Sequence, residues 1–103
     1  MAEFVTVGQA GEIGEGEAKA FDANGAKVAI ARAGGSLYGF SDICTHQGCN
    51  LALGGEIEGT DIFCECHGSG FSMATGEVVS PPATRPIATF QVREQDDELQ
   101  VEV

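Results

Sequence analysis

Tryptophan is absent from the 103 residues, tyrosine occurs once and histidine only twice. Basic residues are scarce as well: five Lys and Arg stand against sixteen Asp and Glu, for a formal charge of −11. That balance opposes contact with nucleic-acid phosphates and anionic lipid, so neither is expected as a partner, and a protein with a basic face fits better. No apolar run approaches the roughly 18 residues of a membrane span. The start, Met1-Ala2-Glu3-Phe4, lacks the basic, apolar, small-residue order of a signal peptide, so the expected location is the cytoplasm. No glycine cluster leads from a strand into a helix with phosphate-loop spacing, which leaves nucleotide binding without support.

What is present has the composition of an ordinary globular protein, 43% apolar and 20% charged, of a length that suits one core. Residues 1–103 are therefore read as a single domain. Its apolar runs are short: Phe4-Val5-Thr6-Val7, Lys27 to Ala31, Leu37 to Phe40, Asp61-Ile62-Phe63, Ile87 to Val92 and Leu99 to Val103. Fifteen glycines punctuate them, with Asn24-Gly25 and Gly34-Gly35 suited to tight hairpins and Gln95-Asp96-Asp97 placed to join the last two strands. No long helical period competes, and the expected fold is all-β and antiparallel. Glu12, Glu15 and Glu17 fall in a glycine-rich stretch that reads as a solvated loop.

The chemistry is concentrated elsewhere. Both histidines and all four cysteines lie within the 24 residues from Cys44 to His67. Cys44-Thr45-His46 and Cys64-Glu65-Cys66-His67 each hold a cysteine-histidine pair, separated by the seventeen residues Gln47 to Phe63. Two soft thiolates with two borderline imidazoles select zinc, copper or iron-sulfur chemistry over calcium or magnesium. Structural zinc of the two-cysteine, two-histidine kind usually pairs like with like, whereas this chain mixes the ligands. An all-cysteine cluster would leave both histidines unexplained, and the single-residue gap between Cys64 and Cys66 is too short for the plant-type spacing.

The two-part pattern, with Gly68-Ser69-Gly70-Phe71 and Gly76 continuing it, resembles the Rieske ferredoxin family over essentially the whole chain. The resemblance implies a small antiparallel β-sandwich with a cluster-binding subdomain of two loops, within about residues 41–82, and one 2Fe-2S cluster. Cys44 and Cys64 would bind one iron as thiolates, and His46 and His67 the other as neutral imidazoles. Such a centre is neutral when oxidised and singly negative when reduced. An all-cysteine cluster starts doubly negative, which places Rieske centres at roughly −150 to +300 mV against about −400 mV for plant-type ferredoxins.

The resemblance extends to Cys49 and Cys66, which match the extra pair that forms a disulfide in the high-potential Rieske proteins of respiratory and photosynthetic complexes. Reduced, buried thiols are the alternative, and the more usual one for a cytosolic protein. Ser69 occupies the position of a hydroxyl donor to a bridging sulfide, so it would tune the cluster. Phe71 stands where a second donor, a tyrosine, is usual, and Glu65 replaces a common proline. Both differences favour a potential below the top of the class. Pro81-Pro82 match a loop that covers the cluster, while Phe40, Leu51, Phe63 and Phe71 are read as core or cluster cover.

By resemblance, the protein would be a soluble monomeric one-electron carrier, not itself an enzyme, linking a flavoprotein reductase to a terminal ring-hydroxylating oxygenase. The alternative is a redox subunit or carrier of another system, such as nitrite reductase or a respiratory-type chain. An oxygenase within this chain is excluded, because a mononuclear iron site needs further histidines and a carboxylate.

Overall fold

The computed structural model describes residues 3–44, 49–66 and 68–103. Among them are eleven strands and no helix: β1 (Phe4–Gln9), β2 (Ala18–Ala23), β3 (Ala26–Ala33), β4 (Ser36–Ser41), β5 (Glu56–Glu58), β6 (Asp61–Phe63), β7 (Gly70–Ser72), β8 (Val78–Ser80), β9 (Thr89–Phe90), β10 (Val92–Gln95) and β11 (Glu98–Glu102). They form three antiparallel sheets, ordered β1-β11-β10, β2-β3-β4-β9 and β5-β6-β7-β8.

Three hairpins follow directly from turn chemistry. Ala23 pairs with Ala26, Ala33 with Ser36 and Gln95 with Glu98. In each, both intervening residues have positive φ: Asn24 and Gly25, Gly34 and Gly35, Asp96 and Asp97. That two-residue form matches the right-handed twist of its strands and selects Gly, Asn and Asp.

Strand β3 explains how the sheets stack. Successive side chains of a strand point to opposite faces. Val28 and Ile30 pack with Ile13, Ala23, Leu99 and Val101 in one core, while Ala29, Ala31 and Ala33 pack with Phe40, Leu51, Ile62, Phe71 and Met73 in the other. The central sheet is thus buried on both faces. One face, lined by branched residues, meets the sheet of both chain ends; the other, lined by alanine, meets the β5–β8 sheet.

The expected strand from Ile87 to Val92 is divided. Ile87 is a core residue whose N–H donates to the Gly76 carbonyl at 2.9 Å, Thr89 and Phe90 join the central sheet, and Val92 starts a strand in the terminal sheet. The chain changes sheet at Gln91, whose carbonyl accepts the Glu102 N–H. Gly76, at φ +82°, has the Ile87 carbonyl where a side chain would stand, so this crossing requires glycine.

The acidic loop is better organised than a solvated loop requires. Glu15 accepts the Gly34 and Gly35 N–H groups at 2.7 and 2.9 Å, Glu12 accepts that of Gln9, and Glu17 that of Gly14. Arg32 donates to the Ile13 carbonyl and to Glu94, and Glu94 also accepts the Gly11 N–H. Backbone donors left over by the turns give these carboxylates a structural role.

Candidate metal centre

The first loop leaves β4 at Ser41 and is closed by Asp42, whose side chain is 1% exposed. Its carboxylate accepts Asn50 Nδ2 at 2.7 Å and the Ala52 N–H at 2.8 Å; its carbonyl accepts the Leu51 N–H, and its N–H donates to the Lys27 carbonyl. An isolated bridge between Ile43 and Asn50 and a 2.8 Å bond from the Cys44 N–H to the Cys49 carbonyl complete a narrow hairpin base. Asp42 is thus an internal latch that also ties the loop to β3. His46 lies outside the described residues.

The second loop connects β6 to β7. The Cys64 N–H donates to the Ser69 carbonyl at 2.7 Å and the Gly68 N–H to the Cys64 carbonyl at 3.0 Å, a tight reversal between paired strands. His67 lies outside the described residues. Glu65 reaches from this loop across Gly54, a positive-φ position where any side chain would collide with its carboxylate.

Cys49 and Cys66 form a disulfide that joins the two loops. Cys44 and Cys64 remain thiols, both buried and both in the core cluster shared with Leu51, Ile62 and Phe71. The sulfurs of Cys49, Cys64 and Cys66 lie within 4.8 Å of one another, a trio that does not include Cys44. Two cysteines spent on a cross-link leave one thiol on each loop, the soft half of a mixed donor set.

Ser69 is fully buried, and its Oγ accepts the Ala83 N–H at 3.1 Å, which fastens the second loop to the segment after the cis Pro81-Pro82 bond. Because Oγ is the acceptor there, its proton remains available for an acceptor such as sulfide. Phe71 is fully buried and offers no hydroxyl. Phe63 is partly buried, on the opposite face of β6 from Ile62. The carboxylates whose pKa is held below the ordinary range are remote from this chemistry: Glu15 by the Gly35 and Gly34 N–H groups, Asp22 by the Gly25 N–H and Lys27, and Glu94 by the Gly11 N–H and Arg32.

The family model for the Rieske 2Fe-2S domain matches residues 3–91. The chain belongs to the Rieske 2Fe-2S domain family. Its cofactor is one Rieske-type 2Fe-2S cluster, and the buried thiols on two cross-linked loops, with a buried hydroxyl beside them, fit that group.

Relatives of this Rieske chain include two kinds. It is 35% identical to a cytochrome b6-f complex iron-sulfur subunit of Chlorobaculum thiosulfatiphilum over 92% of this chain and 51% of that one, so it spans about half the length of that relative. It is 34% identical to the biphenyl dioxygenase ferredoxin subunit of Pseudomonas sp. (strain KKS102) over 80% of this chain and 75% of that one. Among solved structures, a complex of reduced oxygenase and oxidized ferredoxin in carbazole 1,9a-dioxygenase contains a chain 31% identical to it, with a TM-score of 0.87 and coverage of 95% and 91%.

The Cys49-Cys66 disulfide that the resemblance implies is formed, although compartment alone favours thiols. Asp42 escaped the sequence reading altogether. A lone acid before a cysteine reads as a surface residue, and only the position of Asn50, eight residues on, could have hinted at the latch.

Proposed function

We propose that this Rieske protein is a soluble, monomeric, cytoplasmic one-electron carrier, a single domain over residues 1–103 and not itself a catalyst, which takes electrons from a flavoprotein reductase and passes them to a terminal ring-hydroxylating oxygenase. The similarity to free-standing ferredoxins over most of both chains carries this reading. In it, Cys44 and Cys64 would hold one iron, and His46 and His67 the other. The cluster supplies reversible one-electron transfer. The chain does the rest: the Asp42 latch and the Cys49-Cys66 bond fix the two loops, the core excludes water from the thiols, and the Ser69 hydroxyl would have its proton to offer a cluster sulfur.

Charge distribution supports basic docking partners. Residues 41–82 contain six carboxylates, those of Asp42, Glu56, Glu58, Asp61, Glu65 and Glu77, and no Lys or Arg. All five cations lie outside this half. Glu56 pairs with Phe63 and Glu58 with Asp61 across β5 and β6, so these four share one face of the cluster-side sheet, opposite buried Ile62. Like charges directly opposed in a sheet destabilise it, and no cation within this half offsets them. Such a face favours encounter with a basic surface.

The test combines the purified protein with the reductase and oxygenase components of a ring-hydroxylating dioxygenase, without oxygen. Reduction of the cluster by the reductase and its reoxidation on mixing with the oxygenase are the expected results. The disulfide and the cytochrome b6-f relative favour a second reading, a carrier of a respiratory-type chain. A potential near the upper limit of about +300 mV, with no reoxidation by the oxygenase, would select it.

A further inference from the structure

Cys64 has a second chemical option besides iron. Its sulfur lies within 4.8 Å of both sulfurs of the Cys49-Cys66 bond. A thiolate displaces one sulfur of a disulfide from the other, and access and leaving group decide which. From the geometry we propose that Cys64, when it is released from the cluster, attacks Cys49 and expels Cys66, so that the empty protein locks itself in a form unable to rebind iron. This rests on the reading of Cys64 as a cluster ligand.

The step is redox-neutral. The Cys64 thiolate forms a bond to Cys49 Sγ, the Cys49-Cys66 bond breaks, and its electron pair leaves on Cys66. One disulfide and two thiols are present before and after, and neither an oxidant nor a reductant is consumed. Two features set the direction of attack. Cys66 is exposed, so its thiolate leaves into water, whereas Cys49 is half-buried. Attack on Cys66 instead would close a small ring across the single residue Glu65, which strains the disulfide geometry. Bonding to iron would occupy the Cys64 thiolate, so the cluster would protect the disulfide that cross-links its loops. After exchange the loops stay cross-linked, Cys44 remains a thiol, and Cys64 is withdrawn from the donor set. A thiol reductant reopens the site.

Thiol mapping tests the exchange on the holoprotein. Cluster content and spectrum are recorded first, so failure of the ligand reading is seen there, in the starting material. The cluster is then removed anaerobically with an iron chelator, and samples are alkylated in denaturant over time. Cleavage after Glu65 separates Cys64 from Cys66 for mass spectrometry. The expected result is a constant two alkylated cysteines per chain, with Cys66 changing from fully protected to alkylated and Cys64 from alkylated to protected as a Cys49-Cys64 bond appears. Cys44→Ser should show the same pairing when isolated without cluster, and Cys64→Ser should retain Cys49-Cys66. Persistence of Cys49-Cys66 in the emptied protein, or a bond from Cys49 to Cys44, would overturn the proposal.

Discussion

Asp42 shows what one side chain can hold in place. Removal of the buried carboxylate in Asp42→Ala takes away the acceptor of the half-buried Ala52 N–H and of Nδ2 on exposed Asn50, at a cost of about 0.5–1.5 kcal/mol for each bond. Because these groups sit at the base of the first loop, the cluster should bleach faster at fixed temperature, and chelator-resistance kinetics beside urea unfolding would measure both effects. Unchanged bleaching in a destabilised variant would show that the latch serves only the fold. Glu94 belongs to the opposite end and gives a pH-dependent test. The Gly11 N–H, then Arg32, hold its pKa below the ordinary carboxylate value of about 4.3. A depressed folded-state pKa means that the stabilisation is complete above the ordinary value and is lost as pH falls through the folded one. Glu94→Gln should therefore lower stability at pH 7 by about 1 kcal/mol or less, as for a partly exposed ion pair, and the gap from the parent should close in strong acid. A cluster site was legible because cysteines and histidines at that spacing have few other uses; the structure buries the Cys44 and Cys64 thiols on the two cross-linked loops, and His46 and His67 lie outside the described residues. Asp42 and Glu15 were not legible, because a carboxylate that binds backbone N–H groups looks in sequence like one that faces water.

At the scale of strands, legibility followed length and turn chemistry. The hairpins at Asn24-Gly25, Gly34-Gly35 and Asp96-Asp97 were readable because residues tolerant of positive φ mark two-residue turns. Strands β5, β7 and β8 have three residues each, too few for an alternating pattern to emerge. Strand β2, Ala-Lys-Ala-Phe-Asp-Ala, has weak β propensity and is a strand because all six residues pair with β3. Strand β3 itself links the two cores, and its alternation makes a paired prediction. Ile30→Ala should cost about 2–5 kcal/mol through a cavity in the core of the terminal sheet, with the cluster's electron paramagnetic resonance signal unchanged in the folded protein. Ala31→Leu, one residue on and fully buried against the cluster-side core, should cost about 1–3 kcal/mol by overpacking and should also broaden that signal. Identical spectra for the two variants would mean that the alanine face does not set the position of the cluster-binding sheet.

Over the whole molecule, a charge of −11 is spread unevenly, and the uneven part should control the rate of partner encounter. The three ion pairs among the described residues, Lys19 with Glu12, Lys27 with Asp22 and Arg32 with Glu94, all lie outside residues 41–82. By sequence, residues 41–82 hold six carboxylates and no Lys or Arg, so the cluster-side stretch is strongly acidic. Surface fields reach about 10 Å at 0.1 M salt and about 3 Å at 1 M, so electron transfer to a partner with a basic face should slow at least tenfold across that range if the field steers approach. Ionic strength alone cannot say which carboxylates matter. Glu56→Gln with Glu58→Gln removes two charges from the face that carries Phe63, and Asp96→Asn with Asp97→Asn removes two from the far hairpin without loss of residues that tolerate positive φ. The first pair should reduce the low-salt rate several-fold and flatten its salt dependence; the second should leave both nearly unchanged. Slower transfer in the first pair would not reflect unfolding, because Glu58→Gln relieves the like-charge contact with Asp61 and should leave stability equal or slightly higher. Stopped-flow reoxidation of the reduced cluster at several salt concentrations measures all of this, and equal effects from the two pairs would show that only net charge steers the encounter.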